Sequence, residues 1–204
     1  MLKQLAALYP DHPLDIKPRE PFQVLVAVVL SSRTKDPVTN AAMERLWQHA
    51  TTPEAMLAVP VDEIAELIKP VGFYRNKAQQ LHGLSQRLLN DFSGKVPRTR
   101  EELMELPGVG RKVANLVLGI CFKVPAICVD THVHRISNRL GWVSTTEPAK
   151  TEIALLEIVP KRYWLILNRV LVNHGQQVCN PISPRCSICD IAHLCLRRDV
   201  TKSR

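Results

Sequence analysis

Along most of the chain apolar residues recur with a helical period, and the short stretches between carry proline, glycine or a capping side chain. No run alternates apolar and polar residues strongly enough to read as a strand. The pattern predicts an all-α fold, with helices near 2–9, 21–32, 37–50, 53–58, 61–68, 75–92, 99–106, 111–122, 131–140, 147–158 and 161–174. Asp36-Pro37 and Thr52-Pro53 each place a capping side chain before a proline at the first helical position, where the missing N–H costs nothing. Thr99 with Glu102 reads as a capping box opening a short helix through Leu106. The helix from Arg111 to Phe122 is apolar nearly all round (Val113, Ala114, Leu116, Val117, Leu118, Ile120) and should be buried. The longest apolar run, Val24 to Leu30, is too short to cross a bilayer.

Composition changes the picture in two ways. The 204 residues are 46% hydrophobic and 23% charged, which fits a folded protein able to bury a core and excludes a disordered chain. Lys and Arg outnumber Asp and Glu by 27 to 19, a formal charge of +8, which favours a polyanionic partner. The N-terminus, with Lys3, Asp11 and His12, lacks the pattern of a secretory signal, so the expected location is the cytoplasm, with nucleoid association in a prokaryote. Six cysteines there are not expected to form disulfides.

The first candidate for chemistry is Leu106-Pro107-Gly108-Val109-Gly110, between two helical patterns. Its two glycines permit conformations that a Cβ would block, so the turn can present bare amides of Gly108, Val109, Gly110 and Arg111 to a phosphate. The positive end of the following helix adds to the same spot. A plain tight turn between packed helices is the competing explanation. Arg111 and Lys112 sit in the first turn, where a cation opposes the helix dipole by about 0.3–1 kcal/mol. That placement makes Lys112 a candidate nucleophile, expected to be desolvated at the mouth of a buried helix and available as a neutral amine. A second phosphate contact would need only its charge. Asp130, ahead of Thr131-His132-Val133-His134-Arg135, reads on its own as a helix N-cap.

Cys179, Cys186, Cys189 and Cys195 have the spacing Cys-x6-Cys-x2-Cys-x5-Cys, which implies a metal. Four thiolates suit either tetrahedral zinc or a four-iron cluster, and the spacing differs from the bacterial ferredoxin run. Cys121 and Cys128 lie in apolar surroundings and read as inert core residues. Arg185, Arg197, Arg198, Lys202 and Arg204 flank the four ligands, as a DNA-facing patch or as solvated surface.

Leu106-Pro-Gly-Val-Gly-Arg-Lys112 followed by Val129-Asp130-Thr131-His132 closely resembles the endonuclease III branch of the helix-hairpin-helix DNA glycosylases, and the resemblance runs over nearly the whole chain. It implies that Lys112 attacks C1′ of a damaged nucleotide and that Asp130 activates the amine and stabilises the developing sugar cation. It also implies that the four cysteines hold a [4Fe-4S] cluster. An amine nucleophile leaves a Schiff base through which β-elimination can cut the strand. The implied partner is damaged double-stranded DNA, bound by a monomer without membrane involvement, and the implied substrates are oxidised or damaged pyrimidines.

Two positions depart from the family pattern. Arg33, in Leu30-Ser-Ser-Arg33-Thr-Lys-Asp36, stands where the family usually carries glutamine, a side chain that fills the gap left by the extruded base. Phe73, in Gly72-Phe73-Tyr74-Arg75-Asn76-Lys77, stands where bacterial relatives carry a leucine wedge. A core residue at a helix junction would also account for Phe73, and a surface pair with Asp36 for Arg33. Two helical lobes are expected, one of residues 21–132 with the hairpin and one of 1–20 with 133–204 and the cluster loop, with the active site in the cleft between. The rivals are a monofunctional adenine or mismatch-thymine glycosylase, in which the lysine is usually replaced, and a non-catalytic DNA-binding iron-sulfur protein. Retention of both Lys112 and Asp130 argues against them.

Overall fold

A computed structural model describes residues 1–10 and 20–204. The described residues are helical with no strand, as the pattern predicts. They form two compact units, residues 20–123 and residues 1–10 with 124–204. Residues 11–19, which the expected second lobe includes, lie outside the described residues. The chain leaves the first unit at Lys123, earlier than the expected boundary at 132, because Ile127 and Val129 are buried in the core of the other unit. Asp130 therefore belongs with residues 124–204, not with Lys112.

In the 20–123 unit, α2 (Pro21–Ser31) is buried from Val24 to Leu30. Its β-branched run, Val24, Val26, Val28 and Val29, is a poor intrinsic helix former, so burial rather than propensity holds it. It packs among α3 (Asp36–Leu46), α6 (Tyr74–Phe92) and α8 (Arg111–Phe122). The helices α4 (Pro53–Ala58) and α5 (Val61–Ile68) pack on α6, and α7 (Arg100–Met104) on α8. Leu25, Leu46, Met56, Ile64, Leu81 and Leu103 are fully buried, each contributing about 1.5–3 kcal/mol.

Thr52 accepts a hydrogen bond from Ala55 N at 3.2 Å, the cap expected at that Thr-Pro step. Asp36 is not the cap expected of it: the Lys35 carbonyl accepts from Val38 N and Thr39 N, so the helix starts one residue earlier. Thr99 caps α7 through Glu102 N at 3.3 Å, while the Glu102 carboxylate accepts from the Thr99 hydroxyl at 2.6 Å instead of reaching its N–H.

The other unit packs α1 (Leu2–Leu8) on α11 (Trp164–Gln177), and α11 and α10 (Pro148–Ile158) on α9 (Thr131–Leu140). The expected helix 161–174 is shifted: 161–163 form a 3-10 turn, and α11 runs to Gln177. Gly175 sits inside that helix because the His132 ring of α9 occupies the place of a Cβ. Beyond α11 the chain is loop, with short 3-10 turns at Cys186–Ile188 and Ala192–Leu194. Among the described residues no helix is long and apolar enough to cross a membrane.

Candidate nucleic-acid interface and thiol pocket

The hairpin between α7 and α8 is built on α6. Leu106 and Val109 anchor it in the core, and Val109 N donates to Leu106 O at 3.1 Å. Gly108 has φ +80, and a Cβ there would lie 2.7 Å from Gln80 Oε1. Gly83, one turn after Gln80 on α6, makes ordinary contact with Pro107. Gly110 is the N-cap of α8 and offers no side chain; space is open where its Cβ would be. The first turn of α8 thus presents its amides outward at the positive end of a twelve-residue helix. Both glycines and Arg111 are exposed. This is the geometry of a backbone anion cradle.

Lys112 follows directly, exposed on the first turn, while Val113 and Ala114 are buried. The expectation that Lys112 is desolvated is not met. The helix that carries it is buried along one side, and its first turn projects into solvent. Asp130 is half-buried in the other unit and caps α9, its Oδ1 accepting from Val133 N at 2.8 Å. That bond holds one carboxylate oxygen; it leaves the capping and catalytic readings compatible.

Arg33 and Phe73 come together. Both are exposed, and the Arg33 guanidinium carbon lies 5.5 Å from the centroid of the Phe73 ring. Phe73 is 61% exposed, so it is not the core residue that a helix junction allowed. Lys77, which the sequence does not single out, is buried just beneath them and donates to Leu30 O at 2.8 Å, to Ser32 O and to Thr34 Oγ1 at 3.2 Å. Burial pulls its pKa down to about 8.

The four cysteines of the C-terminal loop line one pocket, with a volume of about 420 Å³ that includes space open to solvent. Its walls are Ile136, Leu140 and Ile191 on the apolar side and Arg139, Arg185 and Arg197 on the cationic side. Burial raises the Cys189 and Cys195 thiols above their ordinary range, amide hydrogen bonds oppose this, and the neighbouring thiols add to the rise. Such thiols ionise when a cationic centre takes their charge. Among the described residues no His, Cys, Asp or Glu trio is gathered as a single-ion site; the four cysteines share the lining of one pocket. Apolar and cationic walls around four thiols fit a thiolate-bound cluster with a net negative charge.

Three side chains that hold this pocket carry no sequence signal beyond their place in a helix. Arg139, 8% exposed, donates to Asn180 O and Pro181 O, each at 2.7 Å, and to Cys179 Sγ at 3.4 Å. Arg135, one turn earlier, donates to Cys179 O at 2.9 Å. His174 places Nε2 3.7 Å from Cys189 Sγ, with Nδ1 3.2 Å from the Tyr9 hydroxyl, and burial pushes its pKa down to about 4. Two arginines four residues apart on α9 were the available clue. Cys121 lies away from the pocket, its thiol pushed up to about 11 by burial, and Cys128 is buried. Both fit the inert reading.

Residues 26–161 match the family described as "HhH-GPD superfamily base excision DNA repair protein". The chain is 42% identical over 196 residues to endonuclease III of Thermotoga maritima, covering 96% of this chain and 92% of that one. Among solved structures, it superposes on a trapped endonuclease III–DNA covalent intermediate with a TM-score of 0.88 at 42% identity, over 95% of this chain and 92% of the other. A thermostable thymine-DNA glycosylase matches with a TM-score of 0.82 at 27% identity, over 95% and 93%. The chain belongs to the HhH-GPD superfamily of base excision DNA repair proteins. Within it, the strongest of these likenesses are to endonuclease III.

Proposed function

We propose that the protein is a bifunctional DNA glycosylase and AP lyase that removes oxidised or otherwise damaged pyrimidines from duplex DNA. The observation that carries this reading is the uncapped, open hairpin at Gly108–Gly110 with Lys112 exposed one turn away. A phosphate in the cradle is bound by Gly108, Gly110 and Arg111 through charge and backbone donors, which sets position without reading sequence, while Val109, its N–H given to Leu106 O, anchors the turn. Likeness to endonuclease III supports base excision with strand cleavage.

In this reading the Lys112 amine, having given up its proton, attacks C1′ as the glycosidic bond breaks, and the base leaves with the bonding pair and takes up a proton. The sugar opens to a protonated Schiff base on Lys112. Loss of a C2′ proton then breaks the C3′–O bond, which cuts the strand, and water releases Lys112. Asp130 accepts the proton from the amine and offsets positive charge on the sugar. Its cap to Val133 keeps the carboxylate oriented.

Cys179, Cys186, Cys189 and Cys195 hold a [4Fe-4S] cluster, which when bound cross-links a loop that has little regular structure. Arg139, Arg135 and His174 orient its ligands. The enzyme acts as a monomer on damaged duplex DNA in the cytoplasm or nucleoid.

The deciding experiment incubates the protein with duplexes carrying thymine glycol, dihydrouracil, an abasic site or a mismatched thymine, with and without borohydride. Excision of the first two and a trapped adduct are expected. Excision of the mismatched thymine alone, without a trapped adduct, would replace this reading by a monofunctional mismatch glycosylase, to which the thymine-DNA glycosylase likeness points.

A further inference from the structure

Arg33 and Phe73 are both non-glycine residues in the left-handed backbone region, with φ 54 and φ 59. For a bulky side chain that conformation costs on the order of 1 kcal/mol or more. Neither side chain recovers the cost by burial, since both are exposed. Their mutual cation–π contact at an exposed site returns only about 0.5–1 kcal/mol. Something else holds the backbone there: the junction between the end of α2 and the start of α6.

Gly72 N donates to Thr34 Oγ1 at 3.1 Å, and a Cβ on Gly72 would lie 2.7 Å from Arg33 O, so the two backbones touch where only glycine fits. Lys77, one turn into α6 and bonded through its amide to Phe73 O, spends its ammonium on Leu30 O, Ser32 O and Thr34 Oγ1. The end of α2 and the start of α6 are therefore one hydrogen-bonded block, and Arg33 and Phe73 stand on it side by side.

We propose that Arg33 and Phe73 act on DNA as a single preformed stacked element, in which the Phe73 ring fixes the direction of the Arg33 guanidinium, and that Lys77 is the positioning residue for both. The proposal deepens the glycosylase reading and rests on it. An aromatic ring unstacks a base step, and a guanidinium laid over that ring is carried into the same gap with its donors directed at the orphaned base. Guanine presents the two acceptors that a guanidinium fork fits best. Selectivity for the opposite base thus belongs to the pair and is lost when either member goes.

The test is a double-mutant cycle of Arg33→Gln and Phe73→Leu, read as single-turnover excision of thymine glycol against each of the four opposite bases. Wild type is expected to be fastest opposite guanine, and each single variant to lose about tenfold of that preference. The double variant should lose no more than the single ones, because the pair works as one. Phe73→Tyr keeps a ring and should keep the preference. Phe73→Leu keeps an apolar wedge and should not, which a purely wedging or structural role would not predict. Lys77→Met, and the milder Thr34→Val should Lys77→Met fail to fold, should lower the preference while leaving borohydride trapping on an abasic site intact. Losses that multiply in the double variant, a preference retained in Phe73→Leu, or a wild type indifferent to the opposite base would each overturn the proposal. Wild-type excision and trapping test the glycosylase reading separately: if these hold and the cycle is additive, only the coupling is wrong.

Discussion

Gly108 and Gln80 are in such close contact that a Cβ on the glycine would lie 2.7 Å from Gln80 Oε1, with the Gln80 Cβ at 3.2 Å. The hairpin is thus pressed onto α6 at the residue whose φ of +80 already demands glycine. Gly108→Ala should destabilise the protein by about 1–3 kcal/mol and weaken binding to undamaged duplex, because the cradle amides shift. Adding Gln80→Ala removes the two closest contacts, with Oε1 and Cδ, and leaves the Cβ contact at 3.2 Å and the backbone part. Denaturant midpoints and salt-dependent binding of the two variants measure this; a Gly108→Ala protein with wild-type affinity and midpoint would remove the cradle's reliance on that turn.

Lys112→Gln should abolish the borohydride-trapped complex with abasic-site DNA while duplex binding stays detectable, since Gly108–Arg111 remain in place. Full trapping by this variant would mean that another amine is the nucleophile. Asp130→Asn should slow base removal strongly yet leave stability nearly unchanged, because asparagine still accepts from Val133 N. Asp130→Ala should slow it and also lose about 0.5–2 kcal/mol of stability. Comparing excision rates with urea midpoints in the two variants separates the chemical role from the cap.

Purified protein should be brown, with broad absorbance near about 400 nm and about four irons per chain. Stoichiometric zinc without iron in anaerobically prepared protein would overturn the cluster assignment. Cys186→Ser should cost iron and solubility, whereas Cys121→Ser should leave the iron content unchanged, as its thiol lies outside the pocket.

Lys77 gives the protein a pH signature. Its pKa falls from 10.5 to about 8 on folding because it is buried. Between those values the unfolded chain holds a proton that the folded chain has released, so stability rises with pH across that window. The contribution is complete above about 10.5 and is lost as pH falls through about 8. Measured against Lys77→Met, which removes the titration and keeps the bulk, the wild type should gain in urea midpoint as pH rises from about 7.5 to 10. A flat or opposite trend would show that the three hydrogen bonds the ammonium donates hold it charged against desolvation.

Most of what was legible in the sequence is local. The helices from 53–58 to 131–140 follow from period, proline and capping residues, and Thr52, Thr99 and Asp130 cap as their types require. The hairpin and the cysteine spacing were visible for the same reason: each is a short run whose chemistry depends on neighbours a few positions away.

Local signals misled where a residue's environment is supplied by a distant segment. The expected helix 161–174 ends before Gly175, which lies inside α11 with the His132 ring in the place of its missing Cβ. Lys112 looked desolvated from the apolar helix behind it and is exposed, since the first turn clears the core. Residue types and their spacing sufficed for most of the helices and were enough to single out the hairpin, Lys112 and the four cysteines as candidates. The stacking of Arg33 on Phe73, the burial of Lys77 beneath them and the arginine wall of the thiol pocket were decided by tertiary packing. Each joins residues about forty positions apart, and no pattern along the chain states which of many possible pairs will meet.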